Sequence, residues 1–231
     1  MSKKIEKYET TITITFIILY LLLNSLCINN FGEISIITAL CNICLSIIIL
    51  LFIIKNKLVS YYKLNKVPSP KRFLYFIPLI ILISVNLWSG ININHSLETI
   101  IIHIITMIGV GFLEEIIFRG FLFQLLAKDN IKTAIIITSI TFGIGHIINL
   151  LNGADLIPTL VQICYALSGG YMFAIILYKG NSLWPCIITH IGINTLSIFN
   201  FPNTFTSMYI GPTALIIISL SYAIYLNKRI N

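Results

Sequence analysis

Charge is what this sequence has least of. Only 10% of its 231 residues are Asp, Glu, Lys or Arg, against 57% hydrophobic, where a soluble domain carries about 25% charged residues. That shortage excludes an ordinary water-soluble domain and makes the chain an integral membrane protein. Other absences narrow the chemistry. The sequence has no glycine-rich phosphate loop, no HExxH pattern, no nucleic-acid-binding motif, no internal repeat and no low-complexity tract, so nucleotide-dependent and nucleic-acid functions lose their usual signatures. Cys41 and Cys44 have the spacing of a redox or zinc pair. They lie in an apolar run with no second pair, and there a thiol behaves as a small hydrophobe.

What is present is a series of apolar runs. About 20 mostly apolar residues span a bilayer, and the runs predict eight helices at roughly 11–28, 34–54, 73–89, 97–126, 133–150, 159–177, 182–199 and 210–226. The chain reads as one all-α, polytopic membrane bundle, a single domain over residues 1–231. The first run has the basic flank of a signal segment, but no small-x-small cleavage site follows it.

The basic residues test that count. Lys3, Lys4 and Lys7 precede the first helix, and Lys228 and Arg229 follow the last. Lys55, Lys57, Lys63, Lys66, Lys71 and Arg72, then Lys128 and Lys132, then Lys179, flank even-numbered connections. The odd connections carry only acids, Glu33, Glu98 and Asp155. Basic loops stay in the cytoplasm, so both termini are expected there and the number of spans is even. Dropping to six spans would most simply remove the first two. The densest basic segment, Lys55 to Arg72, is read as a solvated cytoplasmic loop, with an amphipathic surface segment as the alternative.

Against this background a few polar groups at membrane depth stand out: Glu114, Glu115 and Arg119 on the fourth helix, His146 on the fifth, and His190 with Asn194 on the seventh. Ionisable residues there cost a few kcal/mol each, face the bundle interior and usually mark a functional pathway. At about 100° per residue, Glu115 and Arg119 fall about 40° apart on one helix face, while Glu114 points elsewhere. Arg119 is therefore expected to pair with Glu115, which leaves Glu114 as the carboxylate available for general acid or base work. His190 and Asn194 are also i and i+4, so an imidazole and a carboxamide share one stripe and can donate to one oxygen. Counting from the cytoplasmic lysines puts Glu114, His146, His190 and Asn194 at a similar depth, about 17 to 23 Å along their helices. His103, about three turns before Glu114 on nearly the same face, is expected to have a structural or interfacial role. Gly143 and Gly145, beside His146, are expected to serve helix packing.

Glu114-Glu115-x-x-x-Arg119, Phe142-x-x-x-His146 and His190-x-x-x-Asn194, in that order on three apolar segments, resemble the motifs of the CAAX protease and bacteriocin-processing (CPBP) family of intramembrane glutamate proteases, which includes prenyl-protein endopeptidases. The motif core spans about 97–199, and the eight-helix count agrees with the resemblance. The resemblance implies that Glu114 activates the attacking water and His146 helps to hold it. It further implies that His190 and Asn194 stabilise the oxyanion, with Glu115, Arg119 and Phe142 in support and no cofactor. The expected partners are the bilayer and a peptide or membrane-protein substrate, in a multi-pass protein of a bacterial cell membrane.

Three functions stay open on the residues alone: a metal-independent endopeptidase; a zinc protease that uses Glu114, His146 and His190 as ligands; and a non-enzymatic immunity factor or transporter in which the cluster binds peptide or relays protons. The absence of repeated halves weighs against a transporter. AT-rich codon usage, inferred from the many Ile, Asn and Lys residues, favours a peptide pheromone, a bacteriocin precursor or a membrane-protein tail over a prenylated substrate.

Overall fold

The computed structural model describes residues 3–73 and 76–229, and among these every regular element is a helix. Eight helices form the bundle: α1 (Glu9–Phe31), α2 (Ile36–Lys55), α3 (Ile77–Leu87), α4 (Leu97–Ala127), α5 (Ile131–Leu151), α6 (Leu156–Gly180), α7 (Trp184–Phe199) and α8 (Thr206–Lys228). They coincide with the eight apolar runs, although residues 74 and 75 of the expected third helix lie outside the described residues. Six are long and apolar enough to cross a membrane. The two that fall short are α3 and α7, not the first two as the six-span alternative supposed.

Local chemistry fixes several boundaries. Ser35 and Ser96 accept hydrogen bonds from the Thr38 and Thr99 amides, each at 3.1 Å, and so cap α2 and α4. Asn130 accepts from the amides of Lys132 and Thr133 at the start of α5. Each side chain satisfies amides that have no partner within the helix. The hydroxyls of Thr106, Thr138, Ser139 and Ser168 bond to carbonyls one turn back, which removes unsatisfied donors from the apolar interior.

α6 packs against α5 and α8, and α4 against α2 and α7. Where α4 meets α7 there is no room for a side chain: a Cβ on Gly111 would stand 2.7 Å from the Ile191 side chain and 3.1 Å from its backbone nitrogen. That close approach sets His190 beside the carboxylates of α4. Gly143 likewise lets α5 approach Leu167 of α6, whereas a Cβ on Gly145 would meet open space, so the packing expectation fits Gly143 and not Gly145.

The basic connection after α2 is not a solvated loop. Leu58, Tyr62 and Leu64 are buried in it, and it closes one end of the bundle. Leu183 and Ser182 bond to the carbonyls of Lys63 and Asn65 at 2.7 and 2.8 Å, and Trp184 Nε1 donates to Leu64 O at 2.9 Å. Glu9, at the start of α1, accepts from Tyr61 Oη at 2.6 Å and is bridged by Lys128 at the end of α4. The apolar residues interspersed with the lysines explain the difference, because they bury against the helix ends while the ammonium groups stay outside. The odd-numbered connections gather at the opposite end, where Asn92 N bonds to Phe199 O at 2.8 Å and Ser25 Oγ to Asn152 Oδ1 at 2.6 Å.

Candidate active site

Glu114 and Glu115 end the regular α-helical part of α4 (Leu97–Glu115), and the next two turns, Ile116–Leu122, are π-helical before the α-helix resumes at Phe123. Such wide turns inside helices are rare and recur at functional sites. α5 also changes at its motif: it is α-helical through Gly145 and tightens to a 3-10 helix over His146–Leu150.

Behind the site lies a buried ion pair. Arg119 Nη1 is 3.2 Å from Glu115 Oε1, and both side chains are fully buried. The guanidinium sits 3.9 Å above the Phe142 ring and 5.7 Å from that of Phe173, a stacking that weakly hydrated, planar Arg tolerates better than Lys. Space for it comes from Gly170, where a Cβ would lie 2.8 Å from Arg119 Nη2.

His190 connects this pair to Glu114. Its Nδ1 is 2.8 Å from Glu115 Oε1, and its Nε2 is 3.4 Å from Glu114 Oε2. Glu115 Oε1 thus faces both Arg119 Nη1 and His190 Nδ1, which leaves Nε2 of the imidazole facing Glu114. The other oxygen of Glu114 accepts a 2.7 Å hydrogen bond from Tyr20 Oη of α1.

Glu114, Phe142, His146, His190 and Asn194 line one cavity of about 300 Å³. Glu115 and Arg119 lie one layer behind it. His146 packs edge-to-face on Phe142, with ring centroids 5.3 Å apart, and Phe142 meets His190 in the same way at 5.7 Å. His103 does not join the cluster: its Nε2 is 3.0 Å from the Asn194 carbonyl, so it braces the end of α7 from α4. Among the described residues no three His, Cys, Asp or Glu side chains are grouped to hold a metal ion, so the donor set does not fit the zinc arrangement of Glu114, His146 and His190.

The residue that sequence reasoning missed is Tyr20. A tyrosine in an apolar run has the same pattern as a core aromatic; the available signal was a hydroxyl at membrane depth, which must find a partner there.

The fold and site define a multi-pass membrane protein whose helices enclose a carboxylate, two imidazoles and a carboxamide around one cavity. Residues 96–196 match the family of type II CAAX prenyl endopeptidases described as Rce1-like. The match spans all three motifs and supports an intramembrane protease in general. No curated protein matches the chain.

Proposed function

We propose that the protein hydrolyses a peptide bond within the membrane by glutamate-activated water. One observation carries this reading: Glu114, His146, His190 and Asn194 share a single cavity, backed by the Glu115–Arg119 pair that orients His190. A water held by Glu114 and His146 attacks the carbonyl carbon of the scissile bond, and Glu114 takes its proton. The new oxyanion accepts hydrogen bonds from the Asn194 carboxamide and from His190 Nε2 in its protonated form. Donors aimed at that developing charge commonly contribute more to such catalysis than any other single effect. Collapse of the intermediate breaks the C–N bond as Glu114 returns its proton to the leaving amine, so one water is consumed, a carboxylic acid and an amine are released, and the Glu114 carboxylate is regenerated.

The substrate of this reading is a peptide precursor or a tail of a membrane protein, which suits peptide maturation or protection against a bacteriocin. Tyr20 holds Glu114 in place and is a positioning residue. Replacing Glu114 by alanine should abolish cleavage while folded protein remains in the membrane. A Glu114→Ala variant with normal turnover would sink the assignment.

A further inference from the structure

The cavity has a direction. Five helices line it near an odd-numbered connection, through Asn24 late in α1, Asn86 at the end of α3, Asn149 at the end of α5, Gln162 early in α6 and Ser197 at the end of α7, while Glu114 of α4 and Met172 of α6 form its deeper part. Glu33, in the first connection itself, stands at its mouth. Among the described residues, none from the connections after α2, α4 or α6 lines it. That end is the one closed by Glu9, Tyr61 and Lys128 and by the bonds from Ser182, Leu183 and Trp184.

Helix length explains the opening. At 1.5 Å per residue α7 is only about 24 Å long, against a hydrocarbon core of about 30 Å. α7 is tied to the closed end through Trp184, so it stops short on the other side and leaves a polar recess there. The charges then orient the recess. Arg119 apart, the lysines and arginines flank the closed end, and Glu33, Glu98 and Asp155 the open one, which the positive-inside rule assigns to the face away from the cytoplasm.

We infer that Glu114 is reached from the extracytoplasmic side, and that the substrate is a polypeptide segment already outside the cytoplasm, either an exported peptide or the external tail of a membrane protein. The inference rests on the protease reading for its chemistry and on the cavity for its direction. A prenylated C-terminal tail presented from the cytoplasm would meet the closed end. Among the described residues no Lys or Arg lines the recess, so a cationic segment passing Glu33 meets no repulsion from its walls.

Sidedness and cleavage are tested separately. For sidedness, Glu33→Cys and Lys66→Cys variants are treated with a membrane-impermeant maleimide in intact cells, against the background of the parent chain. Labelling of Glu33→Cys but not Lys66→Cys is expected, and the reverse pattern overturns the inference. For cleavage, an impermeant peptide library is given to right-side-out and inverted vesicles, with the products read by mass spectrometry. Products that appear with right-side-out vesicles, stay latent in inverted vesicles until detergent is added, and vanish with Glu114→Gln are expected. Cleavage by sealed inverted vesicles overturns the direction of access while the protease reading stands. Absence of Glu114-dependent cleavage even in detergent overturns the protease reading and the substrate with it.

Discussion

Tyr20 donates its hydroxyl hydrogen to Oε1 of Glu114 at 2.7 Å, linking the first helix to the fourth. The bond reaches one carboxylate oxygen while His190 Nε2 stands 3.4 Å from the other, so Glu114 is contacted from α1 and α7 at once. Tyr20→Phe removes the hydroxyl and keeps the ring. A hydrogen bond to a charged group is worth about 1.5–3 kcal/mol, so turnover should fall about ten- to a hundredfold with the amount of folded protein unchanged. Steady-state turnover beside thermal unfolding in detergent checks this. Unchanged kcat would remove Tyr20 from any positioning role.

Arg119 and Glu115 should behave as a unit. Removing one partner of a buried pair costs about 3–5 kcal/mol, because the other charge stays buried without compensation. Arg119→Met alone should therefore lower the melting temperature sharply. Arg119→Met combined with Glu115→Gln should recover much of that loss without recovering activity, since His190 would no longer face an ionised acceptor. Equal destabilisation by the single and double variants would argue against a coupled pair.

Much of the architecture was legible in advance because membrane burial penalises charge heavily. Three charges in GFLEEIIFRG could be tolerated only if they met partners, and Glu115 with Arg119 did so at helical spacing. The eight helices were legible for the same reason, through the placement of lysines. What was hidden depended on distances between helices. Nothing in the local pattern distinguishes Tyr20 from a packed aromatic. The π-helical turns of α4 follow a stretch that reads as an ordinary apolar helix. The His190 imidazole was expected to act beside Asn194, but its bond to Glu115 arises from the close passage of α4 and α7 at Gly111. The capping role of the segment after α2 was masked by its lysines, which outweighed Leu58, Tyr62 and Leu64 in composition.

That close passage yields its own prediction. Gly111→Ala puts a methyl group 2.7 Å from Ile191 Cγ1 and against its backbone, so α7 must move. Overpacking of this kind costs about 1–3 kcal/mol, and a shift of His190 away from Glu114 should also depress kcat. Gly145→Ala, on the neighbouring motif helix, meets nothing within 4 Å and serves as the control, with near-normal stability. If both substitutions are equally tolerated, the α4–α7 contact does not set the site.

Asn194→Ala tests the oxyanion role proposed for Asn194 without disturbing a buried charge. Loss of such a donor costs about 10²–10³ in kcat, while the backbone carbonyl that receives His103 Nε2 at 3.0 Å is untouched, so stability should hold. Treatment with a strong chelator should leave the parent enzyme's rate unchanged, since no three ligating side chains are grouped among the described residues. Stoichiometric zinc in purified protein, with activity lost on chelation, would favour a metal mechanism instead.

The closed end of the bundle carries a pH signature. Burial, and next the hydrogen bond to Glu9, push the Tyr61 phenol well above its ordinary value; burial and then the Glu9 charge do the same for Tyr62. A folded-state value raised above the unfolded one contributes stability that is complete below the unfolded value, about 10, and is lost as pH climbs from there toward the folded value. The protonated phenol is the form that donates to Glu9, so raising the pH past about 10 loosens the tie between α1 and the connection after α2. Tyr61→Phe should be less stable than the parent at neutral pH and should lose less further stability between neutral and strongly alkaline solution. Melting temperatures of the two proteins across that range decide it: parallel curves would show that the Tyr61–Glu9 bond does not help to close this end.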